Sequence, residues 1–506
     1  MRLSRGVVKV SSGLSIFFMV VLFLVVVFFR DLLNFFYIGK ILSLAFLTTL
    51  FIYRKSLTSF LADLYEGHKR FVNDLAVLLG FVTLLGIVFQ LAIDGNSAVL
   101  SRVTDISACL FVVILAVRSS VVKVSHSDVP REFYIYSIIL ITIVAFILRF
   151  NEIRNIFPYH DEYLNLVAAK RYYYEGMFNY PRAYFMTVLG GLVFKLFNSY
   201  DYLYARMVPV VAGVLSVPAL YIFVKRYNRN IGLISALLLA TMPLAVGYSK
   251  HFREYSPNLF LEILYLICIN WVIHRAKESM SRKNLLLLLI IFIAPGIYYF
   301  LVEHIYLIAY LYVLAISLII FGFKDNIAML VSKFSMKKVV LVSVLFSVLI
   351  LSLILMAWQT TWFMNLGLFD GLEYEKAIFD SRASAGVIES FWYSSLPITK
   401  VLILTLFFIP LIYPYERGLM RFSYISFAVV YIPFAYLISR YFAIRYIYYA
   451  LPFLCIIFAC SVYYLIRPWM ESKLTNKLLM VLTLSFLMVV FNPVKSVWVF
   501  AEDASS

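Results

Sequence analysis

The chain has 506 residues, of which 63% are hydrophobic and 14% are charged, and its mean hydropathy is +0.91. Soluble domains contain roughly 45–50% apolar and about 25% charged residues, so this composition excludes an ordinary soluble protein. The net charge of +17 would suggest a nucleic-acid partner for a soluble protein. In a membrane protein it reflects the Lys and Arg that collect in cytoplasmic loops, and we expect no nucleic-acid partner.

Apolar runs long enough to cross a bilayer recur along the whole chain. A crossing needs about 20 residues, and each must be a helix because lipid offers the backbone no hydrogen-bond partner. The predicted fold is therefore all-α, a polytopic transmembrane helical bundle of about 13–15 spans. The candidate spans are 14–29, 36–53, 74–93, 102–118, 133–150, 204–224, 231–247, 257–274, 285–300, 305–322, 338–357, 397–413, 421–438, 446–466 and 477–492.

The charges of the predicted loops set the orientation. Most Lys and Arg residues fall on one side of the predicted membrane, which the positive-inside rule makes cytoplasmic. The amino terminus lies on that side, and we expect an uncleaved first span, since no small-residue cleavage site follows it. The predicted location is the cell (plasma) membrane.

Two segments on the non-cytoplasmic side, 151–204 and 358–396, are too long to be turns. Connections longer than about 12–15 residues are usually functional or disordered, and both segments carry aromatic and charged residues. In the first, residues 161–175 have helical spacing closed by Gly176. Residues 183–197 are apolar but short, which is typical of a helix lying in the membrane interface. We therefore predict a large first outer loop that carries interfacial helices.

The first outer loop opens with a possible catalytic motif, Pro158–Glu162 (PYHDE). The adjacent carboxylates of Asp161 and Glu162 could supply a general base together with a metal ligand or a hydrogen-bond acceptor. The alternative is that these acids stabilise the start of a helix through its dipole.

A second cluster, Ser249–Pro257 (SKHFREYSP), joins two spans on the same side. Lys250, His251, Arg253 and Glu254 could bind a phosphate and position another carboxylate. A solvated turn with snorkelling charges is the alternative.

A third cluster, Ser439–Tyr446 (SRYFAIRY), also lies at the outer surface. The guanidinium groups of Arg440 and Arg445 offer planar forks of donors that suit a phosphate, although they could instead anchor lipid headgroups. His304 lies in a further outside turn.

Several nucleotide-binding signatures are missing from the sequence. It contains no GxxxxGK[ST] loop and no GxGxxG following a strand. A group transfer outside the cytoplasm would then draw on an activated donor in the membrane, with a lipid phosphate as leaving group.

Taken in order, these segments resemble the integral-membrane C-type glycosyltransferases (the GT-C superfamily). The closest branch contains the protein O-mannosyltransferases, the lipid A aminoarabinose transferases and the rhizobial galacturonosyltransferases. The resemblance covers roughly residues 133–466. It rests on His160–Tyr163 (HDEY), Tyr172–Gly176 (YYYEG), Phe197, Ala205–Arg206, Gly232–Pro243 (GLISALLLATMP), Ser249–Tyr255, Arg440–Tyr441, Arg445–Tyr446 and Pro452.

The resemblance implies an enzyme that moves a hexosyl or pentosyl group from a polyprenyl-phosphate donor to an outward-facing acceptor, with inversion at the anomeric carbon. Asp161 matches the acidic position that such enzymes use as general base, and Glu162 is its catalytic neighbour. The implied donor-phosphate ligands are Arg440, Arg445, Arg253 and Lys250.

Further positions take supporting roles under the same resemblance. His251 and Glu254 would support the second outer loop, and His160, Arg182 and His304 would contact acceptor or donor. Many relatives have Lys-Pro-Pro where this chain has Tyr-Pro-Arg at residues 180–182. The acceptor (lipid, glycan or protein), the sugar and any divalent metal ion are left open, and membrane lipids are expected partners.

We predict three regions: an N-terminal extension of about four transmembrane helices at 1–132, a glycosyltransferase-like domain at 133–492, and a short tail at 493–506. One alternative function is a transporter or flippase for a lipid-linked or anionic substrate, which would show internal repeats and broken helices. Another is a glycan polymerase or ligase, which would not need Asp161 and Glu162 at the start of the loop.

Overall fold

The computed structural model describes residues 63, 65–92, 98–121, 130–151, 153–154, 158, 160–176, 184–278, 290, 406–407, 409–410, 416–432 and 448–466. These residues form helices and no strand, which confirms the predicted all-α class for this part of the chain. The longer helices are α1 Lys69–Ala92, α2 Ala98–Val121, α3 Arg131–Phe150, α4 His160–Glu175, α5 Tyr184–Phe197, α6 Tyr202–Val224, α7 Arg229–Thr241, α8 Pro243–Tyr248, α9 Tyr255–Glu278, α10 Arg417–Ile432 and α11 Leu451–Ile466.

Helices suited to crossing a membrane occur where the sequence predicts them. Within the described residues, four are long and apolar enough: Arg131–Phe150, Tyr202–Val224, Tyr255–Val272 and Tyr448–Leu465. They coincide with four of the predicted spans, and a bundle that crosses the membrane repeatedly is consistent with them. The spans outside the described residues, and the total of about 13–15, stay predictions.

Helix α11 is the centre of the described bundle. Its whole apolar window is buried, and it packs against α2, α7 and α10. A helix that is hydrophobic on all sides belongs in a core. Helix α3 is the opposite case, since Tyr136, Leu140 and Ile147 leave one of its faces exposed. In a bilayer that face would contact lipid.

The hydrogen bonds at the two ends of the bundle agree with the predicted alternation of span directions. The Tyr134 hydroxyl at the start of α3 donates to Asn230 Oδ1 at the start of α7 (2.9 Å). Asn230 in turn reaches Tyr463 near the end of α11 (3.5 Å). At the other end, Arg149 of α3 contacts Ala240 of α7. The helix ends that are predicted to lie on the same side of the membrane are therefore close together in the structure. Which of the two sides faces the cytoplasm stays a prediction.

The predicted span 231–247 is divided into two helices. Helix α7 ends at Thr241, and Met242 has φ −59° and ψ 123°, so it leaves the helical conformation. Helix α8 then begins at Pro243, which has no backbone N–H to donate into α7. The break was not predicted, because the apolar sequence of residues 231–247 gives no sign of it in hydropathy.

The segment predicted to be the first outer loop contains the two helices that the sequence predicts. Helix α4 ends at Gly176, which adopts φ +63° and donates its N–H to Tyr172 O (3.1 Å). Glycine is favoured at this left-handed position because it has no Cβ. Helix α5 packs against α4 and α6, with Leu196 exposed. Its position in the membrane interface stays a prediction.

Candidate active site

A buried ion pair joins the start of α4 to α6. Glu162 lies in the first turn of α4, and Arg206 lies in the first turns of α6; both side chains are fully buried. Arg206 Nε donates to Glu162 Oε1 (2.7 Å), and Nη2 donates to Oε2 (2.9 Å). This two-pronged geometry is the strongest form of an arginine–carboxylate pair. It fixes the predicted first outer loop on α6, the long apolar helix that follows it.

The same carboxylate also holds the second loop, residues 249–254. His251 Nδ1 lies 2.9 Å from Glu162 Oε2, and the backbone N–H of Phe252 donates to Oε1 (2.8 Å). Each carboxylate oxygen therefore has two hydrogen-bond partners, which occupies the acceptor sites that a carboxylate offers. We call Glu162, Arg206, His251 and Phe252 the Glu162 network.

The protonation of Glu162 follows from its partners. Burial alone would raise its pKa, but the hydrogen bonds from His251 and Arg206, with their charges, outweigh burial and lower the pKa below its usual value of 4.5. Glu162 is therefore ionised at neutral pH. Since a proton could bind only by displacing a partner, this geometry favours a positioning role over proton transfer.

Arg206 is held from a second direction. Its Nη1 donates to the Ile153 carbonyl (2.7 Å), and its guanidinium lies 4.8 Å from the centre of the Tyr202 ring. Asp201 caps the start of α6 by accepting from Leu203 N–H (2.9 Å). The guanidinium thus has several fixed contacts, as a buried charge requires.

Phe252 anchors the second loop on the first. Its carbonyl accepts a hydrogen bond from Asn165 Nδ2 of α4 (3.3 Å). Its ring is buried next to Ala169 and Gly190. A Cβ at Gly190 would lie 2.5 Å from the ring, so α5 can approach only because glycine stands there. The two segments that the sequence predicts on the outer side are therefore packed together.

The remaining charges of the second loop are also largely buried. Lys250 is 4% exposed. Arg253 Nη2 donates to Glu254 Oε1 (3.0 Å) and to the Tyr255 hydroxyl (3.3 Å). The alternative of a solvated turn is therefore wrong for this segment, because its Lys, His and Glu side chains are removed from solvent.

An aromatic cluster connects the second loop to the turn before α11. The rings of Tyr248, Tyr255 and Tyr448 pack edge to face, with centroids 5.0–6.1 Å apart. The hydroxyls of Ser256 and Tyr448 are 3.1 Å apart. The segment just before α11, which follows the third predicted cluster in the chain, therefore packs against the residues that flank the second loop.

Not every predicted site residue falls within the described side chains. His160 and Asp161 belong to the first turn of α4 by their backbone, but their side chains lie outside the description. Arg182, His304, Arg440 and Arg445 lie outside the described residues altogether. Across the described part of the chain, no three His, Cys, Asp or Glu residues are grouped in a way that could hold a metal ion.

Sequence reasoning missed two arginines. Arg206 entered only as part of a resembling segment, and Arg149 did not enter at all, yet both are fully buried. The signal was present, because an ionisable residue within an apolar span is costly and usually functional or paired. Their partners could not be read from the sequence, since Arg206 and Glu162 are separated by 44 positions.

One protein-family model matches part of the chain. The family model described as dolichyl-phosphate-mannose-protein mannosyltransferase matches residues 182–335. The match confirms the predicted resemblance to the C-type glycosyltransferases and supports a membrane glycosyltransferase in general. The matched residues include α5 to α9 and the second loop. No curated protein and no solved structure gives a significant match to the chain.

Proposed function

We propose that the chain transfers a sugar from a polyprenyl-phosphate donor to an acceptor hydroxyl at the non-cytoplasmic face of the plasma membrane, with inversion. The observation that carries the proposal is the Glu162 network. It joins both predicted outer segments inside the apolar bundle through a carboxylate whose partners are complete. Buried ionic contacts of this kind preorganise a site that would otherwise be two loose loops.

Asp161 takes the role of general base. It immediately precedes Glu162 in the first turn of α4, so the network fixes its backbone. The acceptor oxygen attacks the anomeric carbon from the side opposite the phosphate, the bond from that carbon to the phosphate oxygen breaks, and the acceptor proton passes to Asp161. A single displacement of this kind inverts the anomeric carbon. Glu162 acts by positioning Asp161.

The cations of the second and third clusters hold the leaving phosphate. The contact of Tyr448 with Tyr255 and Ser256 supports bringing Arg445 towards Arg253. The lipid phosphate gains charge as the sugar leaves, and fixed guanidinium donors stabilise that charge. Lys250 and Arg440 complete the proposed set. His251 and Glu254 support it through their contacts with Glu162 and Arg253.

The remaining partners are assigned by chemistry. His160, Arg182 and His304 are proposed to contact acceptor or donor. Mannose is the first sugar to test, because the matching family description names it. A lipid, glycan or protein can present the acceptor hydroxyl. Residues 1–132 form the proposed N-terminal extension and 133–492 the transferase domain, with the amino terminus in the cytoplasm.

One observation favours a transporter instead, namely the helix broken at Met242. Transporters use such breaks to expose carbonyls to a substrate ion. Here the carbonyls of Leu239 and Ala240 accept hydrogen bonds from Arg149. The carbonyls released by the break are thus bound by the protein itself, which favours the enzyme over the transporter.

Reconstituted protein distinguishes the two functions. Vesicles carrying the chain receive a polyprenyl-phosphate donor with radiolabelled mannose and then a panel of other sugars, together with a detergent extract of membrane glycans, lipids and proteins. We expect label to leave the donor and enter a product, with free polyprenyl phosphate released in equal amount. Movement of intact donor across the bilayer without cleavage would contradict the proposal.

Sidedness is tested by cysteines placed at Asp161, Arg154 and Arg226 in protein whose native cysteines are replaced. In intact cells, an impermeant thiol reagent should label positions 161 and 154 but not 226, because Arg154 is exposed in the first loop and loop charge places 226 inside. Labelling of 226 alone would reverse the proposed orientation.

A further inference from the structure

Arg149 ends helix α3 with its side chain turned into the bundle. It is 1% exposed although it lies in a predicted membrane span. Its Nη1 donates to the carbonyls of Ala240 (2.8 Å) and Ala145 (3.3 Å), and Nη2 donates to the Leu239 carbonyl (3.0 Å). Two of the three acceptors thus belong to the last turn of a different helix, α7.

The carbonyls of Leu239 and Ala240 are the ones that the helix break releases. In a continuous helix, Leu239 O would accept from the N–H of residue 243, which is a proline without an N–H. Ala240 O would accept from Leu244 N–H, but the chain turns away at Met242. Lipid cannot satisfy such groups, and Arg149 supplies a donor to each.

The second loop begins a short distance after the break. Helix α8 is only six residues long, and the loop that holds Glu162 follows it at once. Gly213 of α6 lies at the same place, where a Cβ would be 2.9 Å from Ser249 Cβ and 3.0 Å from Arg149 Nε. Helix α6, Arg149 and the start of the second loop therefore meet with no side chain between them.

We propose that Arg149 is a positioning residue. By binding the two released carbonyls, it fixes the direction in which α8 leaves α7, and it thereby keeps His251 and Phe252 on Glu162. Neither a headgroup anchor nor a donor ligand explains this geometry, because the guanidinium is enclosed and aimed at the backbone. The proposal rests on the proposed function only for its effect on turnover.

Variants separate this role from general stability. Arg149→Met removes the donors but keeps a long apolar side chain. Pro243→Ala returns an N–H to Leu239 O, so the double variant Arg149→Met/Pro243→Ala can close the break into a continuous helix and remain folded.

Arg118→Met is the matched control. Arg118 is also buried, but its neighbour Ser119 bonds the Tyr464 carbonyl near the far end of α11. That point is about 24 Å along the helix from Tyr448. A generic effect of losing a buried arginine should therefore appear in Arg118→Met as well.

The first readout does not depend on turnover. Ser249 is fully buried, so Ser249→Cys, in protein whose four native cysteines are alanine, should resist a water-soluble maleimide. We expect the same protection in Pro243→Ala and Arg118→Met, and at least roughly tenfold faster modification in the double variant, because its loop is released. Protection in the double variant, or exposure with Pro243→Ala alone, would overturn the proposal.

The second readout is the split between kcat and KM in the transfer assay. A displacement of about 1 Å at a reacting centre can cost about 10²-fold in rate, so we expect kcat of the double variant to fall by that order. The donor KM should rise as well, because the released loop carries Lys250 and Arg253 of the proposed phosphate site. A raised KM with unchanged kcat would make Arg149 a donor ligand and overturn the positioning role. If the wild type transferred no sugar, the proposed function would fail, while the maleimide result would still decide the role of Arg149.

Discussion

The two ends of the bundle are built by the same helices but from different polar groups. At the end that holds the Glu162 network, charged side chains are buried, and Glu162 and Arg206 form an ion pair. At the other end, Tyr134 and Asn230 form neutral hydrogen bonds, and Arg229 is exposed above the Tyr134 ring. A buried charge costs several kcal/mol before its partners compensate it. Arg118 is also buried near the other end, but within the described residues the buried carboxylate–arginine pairs lie where two loops are held in one geometry, which favours that end as the functional one.

Among variants at the two ends of the bundle, Glu162→Gln should have the largest effect on stability and turnover. The amide keeps the shape but leaves the charge of Arg206 buried without its counter-charge, which typically costs about 3–5 kcal/mol. We expect the free energy of unfolding in detergent to fall by that amount and turnover by about 10²-fold. Glu175→Gln, at the exposed end of the same helix, is the control and should behave as wild type. A change of less than about 1 kcal/mol would mean that the network does not hold the loops.

The proposed phosphate cations should show a smaller, more selective effect. Lys retains the charge of Arg445 or Arg253 but loses the planar fork. We expect either Arg→Lys variant to raise the donor KM roughly tenfold, equivalent to about 1.4 kcal/mol, and Arg→Ala to raise it more. Arg154→Lys serves as control, because Arg154 is mostly exposed in the first loop. Unchanged donor kinetics for Arg445→Ala and Arg253→Ala would leave both residues outside the phosphate site.

Lowering the pH should reduce the stabilisation that the Glu162 network gives to its end of the bundle. The pKa of Glu162 is lower in the folded chain than its ordinary value of 4.5. Its contribution to stability is therefore complete above pH 4.5 and is lost as pH falls through the folded pKa, with a slope up to about 1.4 kcal/mol per pH unit. The unfolding free energies of wild type and Glu162→Gln should converge in that range. A constant difference down to the lowest pH tested would contradict the lowered pKa.

The smallest effect should come from the opposite end. Tyr134→Phe removes one neutral hydrogen bond to Asn230, which is worth about 1 kcal/mol. We expect a slightly lower unfolding temperature and unchanged kcat and KM. A loss of turnover larger than the loss of folded protein would show that the two ends are not functionally separate.

The sequence predicted the parts of this account that depend on local pattern. Gly176 marks the end of α4 because this helix ends in a residue with positive φ, which glycine adopts most readily. The apolar length of the runs marks the described spans. The Glu162–Arg206 pair was not predictable, since residue spacing does not reveal which buried charges will face each other across the bundle. Pro243 indicated the break at Met242, because proline has no backbone N–H. Hydropathy did not indicate it, since the hydropathy of a run does not depend on backbone N–H groups.

The central claim is a division of labour between neighbours, in which Glu162 holds the site and Asp161 accepts the proton. Asp161→Asn separates these roles, because Asn removes the charge and most of the basicity yet caps a helix about as well as Asp does. If Asp161 only stabilised the start of α4, the variant would stay active.

The decisive measurement is the transfer rate of purified, reconstituted Asp161→Asn at saturating donor, per folded molecule. General-base assistance typically contributes 10²–10⁴-fold. We therefore expect a loss of about 10²-fold or more with the unfolding temperature and donor binding of wild type. Turnover near that of wild type would rule out Asp161 as the base and contradict the account.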